Sequence, residues 1–487
     1  MRFCRFICLA CCLSSLALAE KQTETQKALE EAKSEKATTE EASFKKTVRR
    51  GPLFDALESA LRKNKEILAA QNELMAIHEN RVSAASAFRP KASLNAKYQN
   101  STKKERRNKM SDTDINTRQG YEDSMTSYGI GVSQNLFHGF SDVATLKETD
   151  LSIKARWYNY EAKKQEVLRN VAILYFAILA KRDEISHLRA LLESRQNSKE
   201  VADWMYKTGA VKYLDVSQAI AAVSETESKL AKAAAEYVAY CAQFKELSGY
   251  EVPQELSVPE KMFDENLTEK QAFEIAKNNN PEIIAATHTL AAAKAAIKKP
   301  NPEFMPSVDL SYSFDQARNH SKKTRNHQSD KLHETGNTVA LSVTVPLYDG
   351  GTARAKRREY IKMATKAAVD KEKAIEDVQT QISSTWASMA AAKQSLLSAR
   401  KAVEARQLAL HDAEEEYKSG VKIISDVLEA QEKLFEAKYM ETQAEHDYFA
   451  NQCRANALIG RMSAKYLKLK ESDFSYKEHY QMTKKRF

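Results

Sequence analysis

The sequence predicts a mainly α chain that also lends strands to a membrane β-barrel, written as two tandem structural repeats. Three observations lead there. The 487 residues include only 12 glycines and 9 prolines, so few breakers that most of the chain must be long helix. The stretch YKTGAVKYLDV at 206–216 returns as YKSGVKIISDV at 417–427. Two stretches in each half alternate apolar and polar residues with the two-residue period of a strand.

The chain begins with an export label. Arg2 and Arg5 precede an apolar run over 6–18, and Ala17-Leu18-Ala19 forms a small-x-small cleavage site before Glu20, so 1–19 reads as a signal peptide. Lipidation at Cys11 or Cys12 is the alternative, although Cys8 stands where that motif wants an aliphatic residue. Cleavage removes two arginines from a net charge of +9, leaving 9 − 2 = +7, and leaves Cys241 and Cys453 as the only thiols. That is no disulfide scaffold. Residues 20–50 mix Lys, Glu, Thr and Ala with almost nothing large and apolar, a flexible lead-in that cannot bury a core. No uninterrupted run of eighteen apolar residues follows, so any bilayer crossing must use strands. The basic excess is interspersed with acids and lacks interleaved aromatics, which argues against a nucleic-acid partner.

The duplication extends beyond the opening pair. Tyr206 and Tyr417 lie 417 − 206 = 211 residues apart, as do Leu136-Phe137-His138-Gly139 and Leu347-Tyr348-Asp349-Gly350, and Gly249 and Gly460. Earlier in each half the offset is 280 − 64 = 216: Asn64 matches Asn280, and Phe88-Arg89-Pro90 matches Phe304-Met305-Pro306. One loop-length difference of 216 − 211 = 5 residues between Pro90 and Leu136 reconciles them. The chain therefore divides into a first repeat over 51–250, a linker over 251–262, a second repeat over 263–462 and a basic tail over 463–487, expected to be exposed and mobile.

Each repeat contains a strand pair. Leu94, Ala96 and Tyr98 share one face, as do Tyr128, Ile130, Val132 and Leu136, with Ser127, Gly129, Gly131, Ser133 and Asn135 opposite. In the second half Val308, Leu310, Tyr312 and Phe314 are followed by Val339, Leu341, Val343, Val345 and Leu347. Strands of about nine to eleven residues suit a tilted bilayer crossing. Four strands fall short of the roughly eight that close the smallest barrel, and lipid forbids an open edge, so the barrel must be shared between chains. The charged stretches 101–123 and 316–336 read as exposed external loops.

After each strand pair come some 66 residues with hardly a breaker, as helix roughly 100 Å. Val167, Val171, Leu174, Ile178, Ile185, Leu188 and Leu192 form a seam that wants a partner helix. At the far end Gly209 and Gly420 stop the helices, and Asp215 and Asp426 begin the return. Gln218 and Glu429 follow them by three, the spacing of a capping box. Each long pair is thus a hairpin with a tight tip. Cys241 lies 241 − 209 = 32 residues beyond its tip glycine and Cys453 lies 453 − 420 = 33 beyond its own, which leaves a disulfide between them open.

The two repeats, LF-x-G and LY-x-G after a strand, and the paired Y-K-[ST]-G-x5-D-V tips resemble the TolC-type outer-membrane efflux proteins over roughly 51–462. The resemblance implies a homotrimer in the outer-membrane lipid, with one shared twelve-stranded barrel continued by a coiled-coil helical tunnel across the periplasm. Its tips, around Tyr206, Gly209 and Gly420, would meet a periplasmic adaptor bound to an inner-membrane transporter. It further implies a pore constriction at Asp426 and Glu429, and gate links from Tyr417 and Lys422 to Asp215. Lys422 stands where the family's best-known member has arginine, and Leu214 where it has threonine, which points to a looser gate. The bland reading of the acidic pair is helix capping, and that of Lys422 a solvated tip lysine.

No phosphate loop, His-Glu-x-x-His, mature Cys-x-x-Cys or nucleophile elbow occurs, so neither an enzyme nor a cofactor or metal site is expected. The resulting expectation is a passive exit duct for small molecules or proteins, energised by its partner pump. The alternative is a periplasmic coiled-coil adaptor that never enters the membrane.

Overall fold

The structure, a computed structural model, describes residues 51–106, 118–253, 256–258, 267–300, 305–323, 329–470 and 476–485. The signal peptide, the alternative lipidation site and the lead-in lie outside these residues. The chain divides into a small unit, Met1–Asp55 with Glu255–Glu260, and a large one, Ala56–Gln254 with Lys261–Phe487. In the small unit Gly51 lies close to Ser257.

The element order is α1 (Pro52–Lys63), α2 (Lys65–Ala85), β1 (Lys91–Arg106), β2 (Arg118–His138), α3 (Ser141–Lys207), α4 (Tyr213–Ser248), α5 (Glu269–Asn279), α6 (Pro281–Ala296), β3 (Ser307–Lys323), β4 (Ser329–Thr344), α7 (Thr352–Lys418), α8 (Ile424–Leu458) and α9 (Tyr476–Lys485). The duplication holds to the residue in the longest helices. α3 and α7 are both 67 residues long, and adding 211 to either bound of α3 yields the corresponding bound of α7.

It holds at single hydrogen bonds too. Asn64 caps α2 by accepting from the backbone N–H groups of Glu66 and Ile67, and its amide donates to the Leu247 carbonyl at 2.8 Å. Asn280 caps α6 from Glu282 and Ile283 and donates to the Leu458 carbonyl at 2.9 Å. One asparagine in each repeat satisfies orphan donors at a helix start and an orphan carbonyl at the end of another helix. Gly249 and Gly460 end those second helices at φ of 61° and 76°, a left-handed turn that favours glycine.

The four strands form one antiparallel sheet in the order β1-β2-β3-β4. β1 pairs β2 from Lys91↔Ser133 to Arg106↔Arg118, and β3 pairs β4 from Ser307↔Thr344 to Lys322↔Ser329. The two ladders are equivalent from end to end. The five-residue difference therefore falls between the last paired residues, 11 positions between Arg106 and Arg118 against 6 between Lys322 and Ser329.

The strands are 16, 21, 17 and 16 residues long, so the ladder runs through most of the stretches expected to be loops. Polar side chains do not interrupt a backbone ladder that continues past the bilayer into water, and there they pair across it: the Ser321 hydroxyl donates to Asp123 at 2.6 Å. At the other end β4 stops at Thr344, short of the expected Val345 and Leu347, because Pro346 has no N–H to donate.

One sheet face carries the rows Leu94↔Ile130↔Phe314, Ala92↔Val132↔Tyr312↔Val339 and Leu310↔Leu341. The other carries Ser93↔Gly131↔Ser313↔Thr338 and Asn95↔Gly129↔Asp315↔Gly336. Among the described residues nothing covers the apolar face: Leu94 is 77% exposed, Val339 72% and Leu341 63%. The apolar band crosses the paired rows obliquely, lying at 92–98 on β1 but at 339–343 on β4, as a band level with a membrane does on tilted strands.

The helices form two antiparallel hairpins, α3 with α4 and α7 with α8, joined where α3 packs along α8. Nearer the sheet α2 and α6 both pack along α3, and α6 also meets α7. The expected seam is buried at Val167, Val171, Ile178, Ile185 and Leu188. It continues through Tyr175 and Phe176, with Phe176 stacked on Phe449 of α8 at 4.8 Å. Each such side chain contributes about 1.5–3 kcal/mol on burial.

One expectation fails and one open alternative is answered. The basic tail is docked: Met462 and Ala464 are buried, and α9 lies on α2, where His479 stacks on His78 and Tyr480 donates to Asp150 at 3.0 Å. The helix carries its lysines beside the aromatic side that docks. Cys241 and Cys453 are both free. Cys453 is buried, and desolvation pushes its thiol up to about 12.

Candidate functional site

At the first tip α3 ends in a left-handed Gly209, with Gly209 N–H donating to Tyr206 and Ala210 N–H to Met205. The second tip repeats this as Gly420 to Tyr417 and Val421 to Glu416. Both are Schellman-type ends. Three residues later the return helices begin at Tyr213 and Ile424, two positions earlier than expected.

That shift changes the role of the aspartates. Asp215 and Asp426 are the third residues of α4 and α8, and each carboxylate reaches back to accept from the backbone N–H before its helix, Lys212 at 3.0 Å and Ile423 at 3.3 Å. The expected box with Gln218 and Glu429 is not the one formed. Glu429 instead pairs with Lys433 one turn on, which holds its carboxyl below the usual range. Asp426, Glu429 and Lys433 stand on one stripe of α8.

Lys422 does not reach Asp215. Its ammonium lies 2.6 Å from Glu416 of its own hairpin, and that carboxylate raises its pKa. A lysine at the tip has only a flexible point charge to offer, and the nearest acid takes it. Tyr417 is buried and its hydroxyl makes no hydrogen bond among the described residues. Burial, and then the charge of Asp215, raise its pKa, so the tyrosine senses the expected partner without bonding it. Its ring packs with Ile424 and Val427, against which Met205 of the first hairpin also sits.

The hairpins are tied by residues that sequence reasoning missed. Arg195 of α3, almost fully buried, donates to Thr226 of α4 at 2.6 Å and to Glu432 of α8 at 2.5 Å. Lys229 of α4 completes the cluster at 2.7 Å from Glu432. Burial draws the Lys229 pKa down, but the hydrogen bonds that its ammonium donates to Glu432 and Glu225 outweigh it and leave the ammonium above its usual value. The adjacent Gln431 donates to both Ser194 and Ser198 at 2.9 Å. A signal existed: Arg195 follows Ile185, Leu188 and Leu192 by the seam's own steps, so a charge stands in an apolar stripe.

Around the tips Trp204 is 64% exposed, Tyr213 63%, Leu214 62%, Val421 75% and Ile423 61%. Tyr206 packs edge-on against Tyr213 at 5.7 Å. So much uncovered apolar surface at both tips marks a place for a macromolecular neighbour.

The chain matches the family model described as outer membrane efflux protein over residues 56–249 and 272–461. The outer membrane efflux protein BepC of Brucella suis is 26% identical over 438 residues, covering 89% of this chain and 90% of that protein. The outer membrane protein TolC of Vibrio cholerae is 24% identical over 354 residues, covering 70% of this chain and 78% of that protein. In solved structures, the Campylobacter jejuni CmeC outer membrane channel is similar with a TM-score of 0.69 at 15% identity, covering 89% of each chain.

Proposed function

Given that the chain belongs to the outer membrane efflux protein family and serves as an exit duct in the outer membrane, we propose that three copies close one barrel and one periplasmic tunnel, gated at the hairpin tips. The observation that carries this is the sheet: among the described residues, four strands, two unpaired edges and an apolar face left uncovered. In hydrocarbon those edges must be paired, and only further copies can pair them. The sheet also weighs against a periplasmic adaptor, which needs no lipid-facing strands.

Asp426 and Glu429 are then the constriction. Three chains bring six carboxylates to one hole, but each Glu429 arrives with the ammonium of Lys433, so the stripe carries a net −1 per chain rather than −2. Tyr417 and the Arg195–Glu432–Lys229 cluster hold the hairpins together and keep the hole small. The conduit is passive and non-enzymatic. Its exposed tips, with Tyr206, Gly209 and Gly420 at the turns, receive a periplasmic adaptor coupled to an inner-membrane transporter, and its cargo is small molecules, proteins or both.

Single-channel conductance of the detergent-extracted protein tests the reading. A small, cation-selective conductance blocked by a multivalent cation from the periplasmic side is expected, with block lost in Asp426→Ala/Glu429→Ala and strengthened in Lys433→Ala. Unchanged block in the double variant would reduce the pair to a helix-cap carboxylate and a solvated ion pair. Absence of pores would remove the duct.

A further inference from the structure

The repeats differ at a place where one is filled and the other is hollow. In the first, Tyr175 of α3 and Phe244 of α4 are fully buried and pack together, ring centroids 6.3 Å apart. Translation gives 175 + 211 = 386 and 244 + 211 = 455, so the second repeat sets Trp386 of α7 beside Ala455 of α8. By the same offset Leu179 becomes Ala390. A phenylalanine and a leucine are each cut back to alanine, and the larger indole does not make up the loss. A cavity of about 220 Å³ opens there.

Its lining is held from behind. The Trp386 indole N–H donates to the Leu267 carbonyl at 3.1 Å, which fixes the ring as a wall. Ile459 belongs to a buried cluster with Ala276, Ile283 and Ile382, so that side of the cavity is rigid core. Met389 supplies an adaptable thioether that can close on guests of different shape. A void among such side chains forfeits contacts along its whole lining, and a guest restores them.

One polar group stands on this lining without a partner. Gln452 is only 4% exposed, and its side-chain amide makes no hydrogen bond among the described residues. The neighbouring Asn456 is committed, its amide donating to the Gln452 backbone carbonyl at 3.0 Å. A buried amide left unbonded is costly, and in the first repeat its place is taken by Cys241, which carries no such demand.

The geometry points to a binding site for a small neutral aromatic molecule with one hydrogen-bonding group, its ring against Trp386 and its polar group on the Gln452 amide. Size sets the body. An apolar cavity of roughly 150 Å³ holds one benzene ring, so this one takes a ring with a short polar substituent. The indole favours an aromatic guest, and the glutamine amide can both donate to and accept from it. Lys393 on the same lining weighs against a cationic guest. The site is separate from the constriction: Trp386 lies 420 − 386 = 34 residues before the tip glycine, roughly 50 Å of helix. It goes beyond the duct reading and does not rest on it.

The test uses the whole protein in lipid nanodiscs, free of detergent that could itself enter the cavity. Trp157→Phe and Trp204→Phe leave Trp386 as the one remaining indole of three. Titrated benzamide should change the Trp386 fluorescence saturably, and ethylbenzene, similar in size but without the polar group, should bind more weakly. Gln452→Leu should weaken benzamide about tenfold and leave ethylbenzene unchanged. Ala455→Phe, the first repeat's own residue, should abolish both responses and raise the denaturation midpoint, and Ala390→Leu should do the same if the phenylalanine variant does not fold. A response that fails to saturate, or that survives both fillings, would overturn the site. No response in the Trp386-only protein would mean that another part of the assembly fills the cavity, which would overturn it equally. Equal weakening of both probes by Gln452→Leu would remove the amide as anchor and with it the ligand class.

Discussion

Arg195 shows what one residue does here that pattern cannot convey. A buried guanidinium needs its carboxylate, and removing one partner of such a pair costs far more than the pair contributes. Glu432→Ala should therefore lower stability by about 3 kcal/mol, the low end for a buried pair because Glu432 is partly exposed, visible as an earlier denaturation midpoint. It should also enlarge the single-channel conductance, since the first hairpin is then freer to leave the second. A smaller midpoint with an unchanged conductance would make the cluster structural only. His78 makes a different kind of statement. Burial first, then the neighbouring His479, push its pKa down to about 4, against a slight upward pull from Glu79. A histidine whose folded value lies below its free one favours the docked state above about pH 6.5 and opposes it progressively down to pH 4. The His78 and His479 Nδ1 atoms are 2.7 Å apart, which needs at least one neutral ring. Arg81, Asp150 and Tyr480 surround the pair. Hydrogen exchange in α9 should accelerate as pH falls through that window, after correction for intrinsic rates, and His78→Phe should flatten the dependence.

At the scale of elements, most of the structure was legible and the errors have physical causes. Long helices, their seam, the strand faces and the tip glycines follow from periodicity and breakers. The strands ran on because a ladder is indifferent to whether its side chains face lipid or water. The caps were misplaced because Lys212-x-x-Asp215 and Asp215-x-x-Gln218 share one spacing, and only the turn geometry after Gly209 selects the first. The glycines themselves separate two costs. At Gly209 and Gly420 an added Cβ meets nothing within 4 Å, so alanine should cost only the left-handed backbone, about 1 kcal/mol each. At Gly460 the same atom would fall 2.5 Å from the backbone carbonyl oxygen of Asn279, which cannot swing aside. Gly460→Ala should then cost about 3 kcal/mol, backbone strain and overpacking together. Chemical denaturation of the three variants ranks them; equal losses would mean the Asn279 turn yields.

For the whole molecule, the duplication explains why the sequence conveyed so much: each half is read twice, and apart from caps and strand ends it is the non-local facts that escape. The Arg195–Glu432 tie spans 237 positions and the tail's docking on α2 spans 401, separations at which no periodicity speaks. What the duplicated sheet requires is an environment, because the rows containing Leu310 and Leu341 are exposed and apolar while the rows containing Ser313 and Thr338 are polar. Only a lipid exterior and an aqueous interior satisfy both faces. The two faces should therefore answer differently to the same insult. Leu341→Arg places a charge in the middle of the apolar band and should cost about 2–4 kcal/mol per chain, paid three times in a trimer. Ser313→Arg, three rows away on the opposite face, should be nearly neutral for insertion and instead narrow the lumen. Quantifying detergent-resistant trimer in outer-membrane fractions decides it. Depletion for Leu341→Arg alone fits the assignment of faces, depletion for Ser313→Arg alone would invert it, and equal tolerance would mean that the sheet does not meet lipid.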